Sequence, residues 1–254
     1  SEYWGGRFKE MFPRPELQRM ASCFSNIELN VHAPFYDKIN KVLGLDNEEF
    51  YTSYLSDKSQ KERINFINDA IGDKDDLYSL GVFSIIEGAI LYSSFAFLKS
   101  FQADGKDKLT NVTAGINFSV RDENMHSEGG AHVFNTLLKE KVELGLVDNT
   151  YIKSLKQRLV KAARIIMAHE KKIIKLVFSE GAIKGITSHQ MENFVESRIN
   201  LCLKNLGYDP IYEVSYNPIA LWFYKNIGGG QFHDFFVKVG SEYRRDYSES
   251  KFIW

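Results

Sequence analysis

Leu77-Tyr-Ser-Leu-Gly-Val-Phe-Ser-Ile-Ile-Glu87-Gly-Ala-Ile-Leu-Tyr-Ser-Ser-Phe-Ala-Phe-Leu98 is apolar or small on every side, and Glu87 is its only charged residue. A helix that is hydrophobic all round is a buried one, so the stretch predicts a core helix. Its length would also suit a membrane span of ~20 residues. Four serines, two glycines, a carboxylate at the midpoint and the lack of a second such segment favour the core of a soluble protein instead, because a charge inside a bilayer is costly. A buried carboxylate is costly in a protein core too unless it is paired or protonated. No lysine or arginine lies within ten residues of Glu87 along the chain. Its partner must come from elsewhere: a proton or hydrogen bond, a distant arginine, or a metal ion.

Outward from this segment, most of the chain repeats apolar residues three or four apart, the spacing of one helix face rather than the alternation of a strand. Before it, 15–43 carries a stripe of Leu17, Met20, Phe24, Ile27, Val31, Phe35, Ile39 and Val42, with Pro15 suited to a first helical turn. Shorter stretches at 47–54 and 59–71 read as peripheral helices ahead of the acidic break 72–76. After it, helices are expected at 109–144, 150–180 and 188–206, the last ended by Gly207 as a C-cap. The tail, 217–254, is rich in aromatics and broken at Gly228-Gly-Gly230, which lacks a phosphate-loop pattern and reads as a turn. The chain is expected to be all-α. With no repeat, low-complexity tract or shift in composition, one domain over 1–254 is expected.

Composition sets bounds on function. The 254 residues are 44% hydrophobic and 26% charged, which excludes a disordered or collagen-like chain. Thirty-two basic against thirty-three acidic residues give a net charge of −1, so no global field draws nucleic acid or an anionic membrane as partner. The basic face between Lys153 and Lys175 lacks interleaved aromatics and reads as solvated exterior. Cys23 and Cys202 are far apart and in no Cys-x-x-Cys pair, which argues against a disulfide scaffold or thiolate zinc site and for a reducing, cytoplasmic location. Residues 1–11 hold charges and glycines rather than an apolar signal core.

The chemistry concentrates in three places. In Arg121-Asp-Glu-Asn-Met-His126, Glu123 and His126 are three apart and project from one helix face. Alone, such a pair is as readily a surface feature. Glu28-Leu-Asn-Val-His32-Ala-Pro-Phe-Tyr36 adds a carboxylate and an imidazole four apart, with Tyr36 one turn beyond His32. Glu87 is the third. Four-helix carboxylate di-metal sites take a Glu-x-x-His from each of two helices and one carboxylate from each of the others, and five of those six ligands are present here. Oxygen and imidazole donors without thiolate suit iron or manganese better than structural zinc. By itself Tyr36, one of thirteen tyrosines, reads equally well as core packing.

Together these residues resemble the radical-generating small (beta) subunit of class I ribonucleotide reductase, in a form similar to phage and bacterial versions. The resemblance is carried by Pro15-Glu-Leu, Cys23-Phe-Ser-Asn-Ile-Glu28, His32 with Tyr36, Glu87-Gly-Ala-Ile-Leu-Tyr-Ser-Ser-Phe95, Val120-Arg-Asp-Glu-Asn-Met-His126, Phe178-Ser-Glu-Gly181, Asn205-Leu-Gly207, and His233-Asp-Phe-Phe236 with Glu242-Tyr243. It implies a ferritin-like helical bundle with a di-metal carboxylate site held by Glu28, His32, Glu87, Glu123 and His126. Tyr36 would be oxidised to a stable radical, Asp122 would couple the metals to long-range radical transfer, and Phe95 would shield the radical. The implied cofactors are di-iron, Mn/Fe or di-manganese with O2. The implied partners are a large (alpha) catalytic subunit, where ribonucleotides become deoxyribonucleotides, and a second copy forming a homodimer; no nucleic acid and no membrane are expected.

Two departures from the family pattern carry their own expectations. The usual helix has Glu-x-x-His, whereas one extra residue separates Glu28 from His32. A π-bulge absorbs one added residue, and Pro34 cannot donate to the carbonyl of Asn30, so a helix irregularity is expected between Asn30 and Pro34. The alternative is that Leu29 occupies the carboxylate position and the site has lost a ligand. The sixth carboxylate is expected a few residues before Ser1, with Glu2 too poorly spaced to replace it. An upstream tryptophan of the radical path and a redox-active C-terminal tail are likewise not identifiable, and the sequence is expected to omit both ends. The rival functions are a two-electron di-metal oxidase or oxygenase with Tyr36 a bystander and a small apolar substrate near Glu87, against which the tight apolar lining of Leu91, Phe95 and Phe118 favours the radical reading, and a metal-free degenerate helical subunit. His132, His169, His189 and His233 lack matching ligand spacing and are expected to be solvated or hydrogen-bonded.

Overall fold

The structure, a computed structural model, describes residues 2–106, 108–214 and 216–224. Gly228 to Gly230, His233 and the motif around Glu242 lie outside them. Among the described residues there is no strand. The order is a π-turn at Tyr3–Arg7 running into α1 (Phe8–Met11), α2 (Pro15–Ile27), a second π-turn at Glu28–His32, α3 (Ala33–Val42), α4 (Glu48–Thr52), α5 (Lys58–Ile71), α6 (Asp76–Ala89), α7 (Tyr92–Lys99), α8 (Thr110–Glu143), α9 (Asn149–Val177), α10 (Ser188–Asn205) and α11 (Pro218–Phe223).

Helix starts follow local chemistry. Asp75, Asp148 and Thr187 sit in extended backbone and accept the first free N–H groups of α6, α9 and α10. Gln190 completes a capping box with Thr187. Gly207 closes α10 at φ +83°, a conformation that costs a glycine little. The α5–α6 loop is fastened by Arg158, whose guanidinium bonds Asp75 at 2.6 Å and Asp73 at 3.0 Å and lies over the Tyr78 ring.

The core centres on α6, which packs against α5, α8, α9 and α10. Eleven of its residues are buried, among them Leu77, Leu80, Val82 and Ile85. The stretch Asp76–Lys99 is long and apolar enough to cross a membrane, yet 78% of its most apolar window lies inside the protein. That is the packing of a core element. It is not one helix, however: the chain breaks at Ile90 and Leu91, and Leu91 is 39% exposed. The reason is tertiary. The buried carboxylate of Glu170 on α9 accepts both the backbone N–H and the hydroxyl of Ser93, at 3.1 and 2.6 Å, and so caps a new helix start. Residues 3–11, which showed no helical pattern of their own, coil against the core because Tyr3, Trp4 and Phe8 are almost completely buried.

Candidate metal centre

Three chain segments meet beside the C-terminal end of α6. Glu87 comes from α6 itself, at the point where its apolar surround leaves it 11% exposed. One face of α8 presents Ser119, Asp122, Glu123 and His126, all buried. The π-turn presents Glu28 and His32, and Tyr36 follows one turn later on α3. His126 Nδ1 is the hub: it stands 3.1 Å from Glu87 Oε2, 3.5 Å from Glu28 Oε1 and 3.6 Å from Glu123 Oε2. Ligand-type atoms of Glu28, Glu123 and His126 all lie within 4.8 Å of one another. His32 Nε2 is 3.3 Å from Asp122 Oδ2 and 3.9 Å from Glu28 Oε1.

The extra residue after Glu28 is absorbed as expected. Ala33 N–H reaches back five residues to the carbonyl of Glu28, and the wider π-turn keeps Glu28 and His32 on one side. The irregularity begins two residues earlier than Asn30, since the bond that precedes Pro34 is the one that widens. Leu29 is 55% exposed and points away from the cluster, so it does not take the place of Glu28. Glu2 is exposed and contributes nothing to the cluster.

The electrostatics are those of carboxylates crowded without countercharge. Burial, then the charges of Glu87, Glu28 and Asp122, push Glu123 well above the usual carboxylate range. Burial and Glu87 raise Glu28 as well. Burial acts the same way on Glu87, but hydrogen bonds from His126 and from protonated Glu123 outweigh it and hold Glu87 low. Glu28 Oε1, His32 Nε2, Asp122 Oδ2 and His126 Nε2 are buried and find no hydrogen-bond partner among the described residues. Buried polar atoms are rarely left so, and Glu28 Oε1 and Asp122 Oδ2, both within 3.9 Å of His32 Nε2, fit a site built for cations.

An aromatic wall closes one side. Phe24 and Trp4 lie 4.2 and 5.9 Å from the His126 ring, Trp4 meets Phe24 edge-on at 5.0 Å, and Tyr3 stacks on Phe83 at 3.7 Å. On the other side Tyr36 donates its phenolic proton to Ser119 Oγ at 3.2 Å, and burial pushes the phenol up to about 12. Phe95 is buried beside Tyr92. Leu91, expected in the apolar lining, stands instead at the exposed helix break.

Sequence reasoning passed over three residues. Ser119 lies one turn before Glu123 on the same stripe of α8, a position that periodicity alone would have marked. Trp4 was hidden in a short glycine-flanked segment. Arg198 of α10 is 2% exposed; it donates to Gly88 O at 3.1 Å and Asn124 Oδ1 at 3.0 Å, next in sequence to Glu87 and Glu123, and lies over Tyr92 at 4.0 Å. A charged residue between the buried Val195 and Ile199 was the available signal. His132 and His189 are exposed, in keeping with solvated roles. His169 is neither solvated nor bonded at Nδ1: it is 8% exposed against Phe66, because its place on α9 faces α5.

Residues 1–218 match the family model described as ribonucleotide reductase, small chain. Among curated relatives, the probable ribonucleoside-diphosphate reductase small subunit 048L of Invertebrate iridescent virus 3 is 25% identical over 94% of this chain and 66% of its own. The ribonucleoside-diphosphate reductase subunit beta of Halalkalibacterium halodurans is 28% identical over 81% of this chain and 59% of its own. That of Bacillus subtilis is 29% identical over 86% and 65%. The chain thus spans about 59–66% of the length of these relatives. Among solved structures, a putative class I ribonucleotide reductase from Bacillus halodurans superposes with a TM-score of 0.74 at 26% identity, covering 87% of this chain and 80% of that one. The dimanganese(II)-NrdF of Streptococcus sanguinis gives 0.73 at 20% identity, covering 89% and 77%, and shares the ferritin-like helical bundle.

Proposed function

The chain belongs to the ribonucleotide reductase small-chain family, and from that membership we propose that it is the radical-generating beta subunit of a class I ribonucleoside-diphosphate reductase. The observation that carries this reading is the convergence of Glu28, Glu87, Glu123, His32 and His126, with their unpartnered buried atoms, beside a hydrogen-bonded Tyr36. These five residues would hold a pair of metal ions. When bound, such a pair together with O2 supplies a one-electron oxidant.

The chain's own residues do the rest. Glu28, Glu87 and Glu123 would neutralise the cations. The wall of Tyr3, Trp4, Phe24 and Phe83 keeps water and reductants from the site. Asp122, its Oδ2 3.3 Å from His32 Nε2, would form the inner end of a route for radical transfer. Tyr36, its phenol held by Ser119, would give an electron and its phenolic proton to the reduction of O2 and so store the oxidising equivalent. The large alpha subunit would draw on it to reduce ribonucleotides to deoxyribonucleotides. The active form would be a cytoplasmic homodimer docked on alpha, with residues 1–254 as one domain. Iron, manganese and a mixed pair all fit the hard donor set; the S. sanguinis protein is a dimanganese one.

The test is low-temperature EPR of metal-free protein reloaded with ferrous iron, or with manganese, and exposed to oxygen, beside Tyr36→Phe. A tyrosyl signal that the substitution abolishes while metal content is retained is the expected result. Two bound metals and no radical would favour the oxidase instead, and no bound metal would end both readings.

A further inference from the structure

Ser119 is 1% exposed and sits between two residues of the candidate centre: its Oγ is 3.2 Å from Tyr36 Oη and 3.3 Å from His32 Nδ1. A serine hydroxyl has one proton to give and two lone pairs with which to accept. While Tyr36 is a phenol, it donates to Ser119, whose second lone pair accepts from His32 Nδ1–H, the tautomer that leaves Nε2 free for a metal. A phenoxyl oxygen has no proton and can only accept. Resting on the proposed role of Tyr36, we propose that Ser119 is its positioning residue: the serine accepts from the phenol in the reduced state and turns its own proton to the phenoxyl oxygen in the radical state.

The geometry favours this over a passive contact. Ser119 is held on α8 four residues from Glu123, so its oxygen is fixed relative to the carboxylate cluster and not to the Tyr36 helix. Tyr36 and His32 are four apart on their own segment, and one hydroxyl on a facing helix reaches both. The hydroxyl therefore ties the tyrosine to the imidazole without a covalent link or a charge. A site meant only to bury the ring would be served as well by alanine or valine at 119, with no oxygen left to satisfy.

The test compares wild type, Ser119→Ala and Ser119→Thr. High-field EPR and deuterium ENDOR of the radical, after exchange into D2O, should show an exchangeable deuteron coupled to Tyr36 in wild type. Ser119→Ala should lose that coupling and raise the largest g component, and Ser119→Thr should restore both. In metal-free protein the Tyr36 hydroxyl proton, followed by NMR, should exchange about three- to tenfold faster in Ser119→Ala, the worth of one hydrogen bond, and at the wild-type rate in Ser119→Thr. A wild-type radical without an exchangeable deuteron, or an alanine variant with unchanged spectra, overturns the proposal. If wild type yields no radical, the proposed role of Tyr36 fails, and the metal-free exchange rates then decide whether Ser119 holds the phenol: equal rates in wild type and Ser119→Ala overturn that as well.

Discussion

Glu28 Oε1 lies 3.5 Å from His126 Nδ1 although one residue too many stands between Glu28 and His32 for a regular helical turn. The widened backbone between them keeps Glu28 and His32 on one side. Asn30, within that turn, is exposed and bonds only to Asn26, also exposed.

Deleting Asn30 should therefore relax the π-turn to an α-turn without moving either ligand from its face. Expected are unchanged metal stoichiometry and a melting temperature equal to or above wild type, read by metal analysis and circular dichroism. A deletion variant that no longer binds metal would refute this account of the turn.

In the metal-free protein, Glu123 is raised far above its unfolded value by burial and by Glu87. A raised acid favours the fold below the ordinary carboxylate pKa and ceases to do so as pH climbs through the folded value. Urea midpoints of metal-free protein should accordingly fall as pH climbs above the ordinary carboxylate range, and fall less in Glu123→Gln. Loaded protein should show the opposite trend, since metal binding needs the carboxylate ionised.

Glu170 makes a second, separable contribution. Burial, opposed by Arg63 and the two bonds from Ser93, leaves it raised to about 7 from an ordinary 4.5. The stability it lends is complete below that ordinary value and is lost as pH rises through about 7, a span worth on the order of 3 kcal/mol. Glu170→Gln should flatten this part of the pH profile while leaving metal content alone. A wild-type slope in that variant would show that the group is not titrating there.

Gly88, next to Glu87, has no room for a methyl group: an added Cβ would come within 2.3 Å of Cys202 Sγ and 2.5 Å of Ser127 Oγ. Gly88→Ala should cost roughly 1–3 kcal/mol through overpacking and weaken metal loading, because α6 must shift and carry Glu87 with it. Gly6→Ala, which meets nothing within 4 Å, is the control and should be near neutral in the same denaturation series.

The bundle and the residues that converge beside Glu87 were legible because each left a local trace. Glu87 is a lone charge in an apolar run, Glu123 and His126 share a stripe, and the helices repeat apolar residues three or four apart. What escaped depends on partners distant in the chain. The break at Leu91 is made by Glu170, seventy-seven positions from the Ser93 it binds. Arg198 reads as an ordinary surface residue until Gly88 and Asn124 arrive beside it. Ser119 had no signal beyond its register, since a serine on a core face is common and its two partners lie on another segment.

Trp4 has an optical consequence. Its indole is completely buried, its ring centre 5.9 Å from that of His126, whereas Trp222 belongs to the short helix α11 and is only partly buried. Light emitted by Trp4 comes from beside the proposed ligands, so a paramagnetic ion arriving there should darken it while leaving Trp222 bright. The protein carries its own fluorescent gauge of metal occupancy, readable without a label and before any oxygen is admitted.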